Sequence, residues 1–337
     1  MKAKAAILDT LGKPLIVDEI EIPAPSIGQV LVRVYCSGIC GKQIEEISAE
    51  RDPHLPHLLG HEGGGIVEAI GEGVTRVKIG DHVAMHWRKG AGIESDFPKY
   101  IWRDKTVGGG LITTFNEYAL LSENRLTSID KTIPFFIAAL MGCAVTTGLG
   151  VVFKEAKLKP YESIAVIGCG GVGLNIIQAA SLISAFPIYA FDILEEKLDM
   201  AEHFGATKTW NLTEGPLAFD NIDVVVDCTG AVEIIEKGLE ITAANGCMIL
   251  VGLPHGKQNS TIQIHDMRKH FTGKKMIFSN GGSSDPNSDI PEYLNLYRYG
   301  KLKLNDLITD HFSLDDINIA LDKARTGSCG RCVIEMP

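Results

Sequence analysis

The 337-residue chain has no cysteine between Cys40 and Cys143, no internal repeat and no low-complexity block. Its eight cysteines (36, 40, 143, 169, 228, 247, 329 and 332) form no compact spacing framework, which excludes a disulfide-stapled scaffold and leaves reduced thiols in a cytoplasmic setting as the expectation. A surplus of basic residues is also missing. With 32 Lys and Arg against 42 Asp and Glu, the net charge of −10 argues against a nucleic-acid partner, which would show a basic face. The opening Met-Lys-Ala-Lys-Ala-Ala-Ile-Leu reaches Asp9 and Asp18 too soon for a secretory signal. The one long apolar stretch, Ile133 to Phe153, is interrupted by Pro134, Gly142, Thr146, Thr147, Gly148 and Gly150. It reads as buried core, so no membrane partner is expected.

What is present is 45% apolar residues over a length that suits two domains, each with its own core. From Lys2 to Leu121, short β-rich runs (Gln29 to Tyr35, Gly64 to Ala69, Asp81 to Met85, Phe115 to Leu121) are broken by glycine and proline, as in an irregular antiparallel β domain. From Glu162 onward the texture changes. Apolar runs at Ser163 to Ile167, Pro187 to Phe191, Asp223 to Asp227, Gly246 to Gly252 and Lys275 to Ser279 alternate with helical patterns at Leu174 to Ile183, Glu195 to Phe204 and Ala231 to Leu239. That alternation predicts a doubly wound α/β domain with a parallel sheet. A turn-rich break after Asn280, a helix at Ile290 to Tyr299 and a strand at Cys332 to Glu335 follow.

Ser-Ile-Ala-Val-Ile-Gly168-Cys-Gly170-Gly171-Val172-Gly173-Leu puts a glycine fingerprint where a strand ends and a helix begins. Gly168 suits the tight turn, Gly170 lets backbone approach a pyrophosphate, and Gly173 lets helix pack closely on strand. The helix N-terminus then offers unpaired N–H groups to the phosphates. Asp192 ends the next strand, 24 positions after Gly168. Its carboxylate suits the ribose hydroxyls and would repel a 2′-phosphate, so NAD is expected over NADP. A plain glycine-rich turn with a solvated Asp is the competing reading.

Cys40, His61 and Cys143 are separated by 21 and 82 residues, unlike the closely paired ligands of a structural zinc knuckle. Two thiolates and an imidazole from distant segments suit a catalytic zinc with an open position. Singly, Cys143 in an apolar helix and an isolated His61 also read as ordinary core residues, and spacing alone does not bring the three together.

Several motifs occur together in order: Gly-Ile-Cys40-Gly, Gly60-His61-Glu62, Gly80-Asp81-His82-Val83, Gly142-Cys143 with Thr147-Gly148, and Gly168 to Gly173 with Asp192. On these the chain resembles the zinc-dependent medium-chain alcohol dehydrogenases over essentially its whole length. The resemblance implies a Rossmann domain, 144–282, inserted in a mainly β, GroES-like catalytic domain, 1–143 and 283–337, with the active site in the cleft between them. It implies one catalytic Zn2+ held by Cys40, His61 and Cys143, with Glu62 behind the ligands or swapping in as one. It also implies a small-molecule substrate and a homodimer or homotetramer. Thr147 aligns with a residue on the nicotinamide side, and Arg331 with a basic residue near the coenzyme phosphates and the zinc ligands.

Two departures stand out. Cys40-Gly41-Lys42-Gln43 replaces Cys-Gly-Thr/Ser-Asp, so the hydroxyl that starts the proton relay and the carboxylate that braces the zinc site are both missing. A buried Lys42 with a lowered pKa could relay the proton or anchor an anionic substrate; an exposed lysine is the plain reading. After Val83, where the four structural-zinc cysteines of the family lie, the chain reads Ala-Met-His86-Trp87-Arg88-Lys89. Trp87 and Arg88 are expected to line the substrate pocket. With Lys42, His86 and Lys89 they would favour a polar, possibly anionic alcohol, polyol or sugar derivative, although Glu94 and Asp96 nearby also fit a solvated basic loop. Cys329-Gly-Arg-Cys332 has C-x-x-C spacing without a thioredoxin-like context. A zinc-dependent, NAD-linked oxidoreductase is therefore expected. A zinc-free quinone or enoyl reductase and a non-enzymatic NAD(H)-sensing protein are the alternatives.

Overall fold

A computed structural model describes residues 1–50, 52, 54–217, 219–254 and 260–337. The chain divides into two compact units, Met1–Ala144 with Asp285–Gly300 and Leu304–Pro337, and Val145–Ser284 with Lys301–Lys303.

In the first unit, strands Lys2–Leu8, Ile16–Glu21, Lys99–Trp102, Lys105–Gly108 and His57–Leu58 close into a barrel. Alternating residues of these strands turn Ile7, Ile20, Tyr100, Trp102 and Val107 into its core. A second sheet runs in the order Leu126–Ile129, His82–His86, Glu62–Ile70, Gln29–Gly38, Arg331–Glu335, Ile308–Ser313, and Tyr118–Ser122 adds onto Gln29–Gly38. The C-terminal segment thus enters the sheet beside the central strand, with Val333 opposite Gly38. This pairing is what brings residues near 331 to those near 40 and 62.

The segment after Val83, where the cysteines of a metal-binding lobe are missing, is fastened by carboxylates. Glu123, almost wholly buried, accepts hydrogen bonds from the backbone N–H groups of Thr75, Arg76 and Ile93. Glu94 pairs with Arg125 at 2.6 Å and with Lys89 at 3.1 Å.

In the second unit, parallel strands lie in the order Lys208–Asn211, Ile188–Asp192, Ile164–Ile167, Ile222–Asp227, Thr242–Leu250, Lys275–Phe278. Every residue of Ile164–Ile167 is buried, as expected of a strand covered on both faces. The edge strand Lys208–Asn211 escapes sequence reading because Lys-Thr-Trp-Asn has no apolar run. Helix Glu195–Phe204 falls on its expected residues, with Glu195 and Glu196 in its first turn and Gly205 ending it at φ 115°. Strand order reverses between Ile188–Asp192 and Ile222–Asp227, the two neighbours of Ile164–Ile167, so this doubly wound sheet has its switch point at the C-terminal end of that strand. Among the described residues no single helix is long and apolar enough to cross a membrane.

Candidate functional site

Cys40, His61 and Cys143 each sit at the end of an element of the first unit. Cys40 is the N-cap of helix Gly41–Ile47, His61 immediately precedes strand Glu62–Ile70, and Cys143 follows helix Phe135–Met141. Their ligand atoms lie within 4.8 Å of one another, although neither spacing nor local pattern predicts the convergence. Nε2 of His61 is buried with no hydrogen-bond partner, an orphan that a metal ion would satisfy. Two sulfurs and one imidazole nitrogen form the donor set of a zinc site with room for a fourth ligand, so these residues fit the ion.

The electrostatics of the metal-free chain agree. A hydrogen bond from the Cys143 thiol holds Cys40 well below the ordinary thiol range, with His61 and Arg331 adding positive charge against the cost of burial. The same contact, reinforced by burial, pushes Cys143 up. Burial alone would depress His61, but the adjacent Cys40 thiolate outweighs it and raises the imidazole.

Glu62 is fully buried and forms an ion pair with Arg331, itself almost fully buried. Burial raises the Glu62 carboxyl, against the pull of Arg331. Burial likewise works against the Arg331 guanidinium, but Glu62, Cys40 and Cys143 outweigh it and hold it firmly charged. The packing around Glu62 explains a nearby glycine: a Cβ at Gly38 would stand 2.8 Å from its carboxylate. Glu62 lies outside the donor cluster; the ion pair draws it to Arg331, behind Cys40, His61 and Cys143. The Arg331 guanidinium faces Glu62 and Cys40.

Gln43, fully buried, is the residue that sequence reasoning passed over. Its Oε1 accepts the Cys40 backbone N–H at 2.8 Å, and its amide nitrogen meets Nδ1 of His61. One side chain therefore spans two of the three donors. The signal was available: an N-cap residue followed three positions later by Gln is a capping-box pattern.

The charged residues expected near the pocket have other partners. The burial anticipated for Lys42 is not found; its side chain is 40% exposed and pairs with Glu45 one helical turn away at 3.3 Å. His86 is no pocket cation. It is buried, with Nδ1 on the Arg88 carbonyl at 2.7 Å and Nε2 on Thr127 Oγ1 at 3.0 Å, and burial pushes its pKa down to about 4. Lys89 is exposed and taken by Glu94. The Arg88 guanidinium lies over the Trp87 ring at 5.7 Å, and Trp87 packs against the sheet core.

In the second unit, Gly168 turns the chain at φ 94° and its N–H donates to Phe191 O at 2.7 Å. A Cβ at Gly170 would meet nothing within 4 Å, so the glycine turn is open there. Gly170 caps helix Gly171–Leu182, whose first-turn residues Gly171, Val172 and Gly173 present the backbone N–H groups that a helix leaves unpaired. The Asp192 carboxylate accepts from the backbone N–H groups of Cys169 at 2.7 Å, Ile193 at 2.8 Å and Leu194 at 3.1 Å, which fixes it at the rim of the glycine turn. Thr147 is buried in helix Ala144–Gly150.

Residues 26–131 match the alcohol dehydrogenase GroES-like domain and residues 171–298 match the zinc-binding dehydrogenase domain. S-(hydroxymethyl)glutathione dehydrogenase of Paracoccus denitrificans is 32% identical over 99% of this chain and 100% of its own length. Alcohol dehydrogenase 1 of Trifolium repens is 27% identical over 100% and 97%. The crystal structure of benzyl alcohol dehydrogenase from Acinetobacter calcoaceticus superposes with a TM-score of 0.91 at 27% identity, covering both chains completely. The expectation of a GroES-like unit joined to a Rossmann unit is met. The chain belongs to the zinc-type medium-chain dehydrogenase/reductase family of alcohol dehydrogenases.

Proposed function

We propose that this protein is an NAD- and zinc-dependent dehydrogenase acting on a hydroxyl group of a small molecule. The observation that carries the reading is the convergence of Cys40, His61 and Cys143 within 4.8 Å, with the buried Glu62 and Arg331 pair behind them. When bound, zinc supplies Lewis acidity toward the alcohol oxygen, and NAD supplies a nicotinamide that accepts hydride from the carbinol carbon.

The chain's own residues do the rest. Cys40, His61 and Cys143 hold the metal, and Gln43 lies against two of them, its one oxygen able to accept either the Cys40 N–H or the His61 Nδ1 proton. The Arg331 guanidinium offsets the charge that two thiolates and Glu62 concentrate in a buried place. The first turn of helix Gly171–Leu182 offers N–H groups to a pyrophosphate, and Asp192 accepts the ribose hydroxyls while repelling a 2′-phosphate. The anionic-substrate reading loses two supports, because His86 is buried and uncharged at neutral pH and Lys89 is paired with Glu94. S-(hydroxymethyl)glutathione and benzyl alcohol, the compounds in the relatives' names, both carry a primary hydroxyl, the first on an anionic molecule and the second on an uncharged one, so the pair heads the test panel and separates the two substrate classes.

The test is NAD reduction across primary alcohols, polyols and sugar phosphates, before and after zinc removal. Turnover is expected with a primary alcohol and should vanish on chelation and return with zinc. Full turnover of the metal-free protein would favour the zinc-free reductase. Tight NADH binding with no turnover of any substrate would favour the sensing protein. Asp192→Ala should lower kcat/KM for NAD by at least about tenfold, the worth of roughly one hydrogen bond to a charged group, while leaving NADP use unchanged or improved.

A further inference from the structure

Away from the site just described, a second group of metal-ligating side chains converges. We propose that Asp310, Cys329 and Cys332 form a second metal site in the first unit, selective for a thiophilic divalent cation of the zinc type.

The placement is built by the fold. Strands Ile308–Ser313 and Arg331–Glu335 pair in parallel, with Asp310 directly opposite Cys332 and the register shifting around Thr309. Helix Ile317–Thr326 ends at Gly327, φ 74°, and the turn beyond it carries Cys329 back to the strand pair. The Gly330 N–H donates to Thr309 Oγ1 at 2.9 Å, fastening that turn to the register shift. The three ligand atoms lie within 4.8 Å of one another. Neighbouring sulfur and oxygen ligands of a tetrahedral zinc stand about 3.5–3.8 Å apart, given metal–ligand bonds of about 2.1–2.3 Å, so only a small adjustment is needed.

The chemistry of the group points to a cation. Cys332 is 1% exposed and Cys329 8%, and the two thiols touch each other. The contact with Cys329, then burial and the Asp310 carboxylate, push the Cys332 thiol far up. Three groups that repel one another as anions are therefore packed together. The Lys323 ammonium is ion-paired with Asp310 and faces both sulfurs, already placing positive charge there. Binding would replace two thiol protons by one metal ion: M2+ plus two R–SH gives M(SR)2 plus two H+, with no change of oxidation state. Two thiolates, one carboxylate and a dication leave one negative charge, which Lys323 neutralises. Soft sulfur ligands select zinc or cadmium over magnesium or calcium. The chain lacks the four cysteines of the family's second zinc, so the expectation of one metal per chain becomes two, with the second ion at a different place.

The test uses the full chain, kept reduced, stripped of metal and titrated with Co2+ while thiolate-to-cobalt absorption and bound metal are recorded. The native protein should bind two ions per chain. An Asp310→Asn/Cys329→Ser variant should bind one, and Cys40→Ser should also bind one by losing the other site. The inference is overturned if the Asp310/Cys329 variant binds as many ions as the native protein, if Cys40→Ser binds none, or if mass spectrometry finds a Cys329–Cys332 disulfide that survives reductant. Should the Asp310/Cys329 variant fail to fold, the ion retained or lost by Cys40→Ser still decides. Loss of the Cys40 site alone would leave this inference standing and count only against the proposed function.

Discussion

Gln43→Leu isolates what the buried amide does for the metal centre, since leucine keeps nearly the same volume and has no polar atom. Two effects follow from the geometry. The Cys40 backbone N–H loses its acceptor, a buried unsatisfied donor worth about 1–3 kcal/mol. That cost is present with or without metal, so it appears mainly as lost stability. The His61 ring loses its Nδ1 partner, worth about 0.5–1.5 kcal/mol, and gains freedom to rotate. That loss bears on the loaded state, because only there must Nε2 face the ion. The lost partner alone is worth about 2–13-fold in zinc affinity, and the freed ring adds to it, so affinity should weaken by about tenfold or more, toward the about 10–100-fold found when a partner behind a metal ligand is removed. Gln43→Glu gives the contrast. A metal on Nε2 leaves the ring proton on Nδ1, and a carboxylate can accept that proton and the Cys40 N–H together, where the amide has one oxygen for both. The Glu variant should bind zinc at least as tightly as the native chain. Competition with a chromophoric chelator measures both, with urea unfolding to confirm the fold. A folded Leu variant within threefold of native affinity would refute the reasoning and leave Gln43 as packing.

Arg331→Met should cost about 3–5 kcal/mol by stranding the buried Glu62 charge, and Glu62→Gln/Arg331→Met should recover most of it; urea midpoints of the metal-free proteins read both, and a neutral single variant would deny the pair its role. His86 should make stability depend on pH. Its folded pKa, about 4, lies below the unfolded value of 6.5, so between those values the unfolded chain binds a proton the folded chain refuses. Stability should therefore fall as pH drops through that window, by at most about 3 kcal/mol. His86→Gln should flatten the native slope between pH 6.5 and 4, and an unchanged slope would assign it to other groups.

The parts of the molecule legible in the sequence are those written locally. The glycine turn at 168–173, the acid at 192 and the apolar runs of the parallel sheet depend on neighbours within one strand–turn–helix unit. Helix Glu195–Phe204 was legible to the residue because acids open it and glycine closes it. The Lys208–Asn211 strand was not, since only its partner Ile188–Asp192 makes it a strand. Reading His86 and Lys89 as free pocket cations missed their partners for a related reason. Charge near a presumed site looked like free charge in it, yet Thr127 and the Arg88 carbonyl hold a buried His86, Glu94 pairs with Lys89, and Glu45 pairs with a half-exposed Lys42. Gln43 was visible only as a departure from a family pattern. Its meaning depends on His61, 18 residues away, and is lost when each motif is read alone.

The carboxylate clasp at Glu123 separates two dependencies that a metal-bound lobe would join. Thr75, Arg76 and Ile93 are moored by backbone N–H groups on a side-chain anion, so this stretch owes its order to protonation state and not to metal supply. On the proposed function, stripping zinc from Cys40, His61 and Cys143 would leave the hydrogen bonds of this stretch in place.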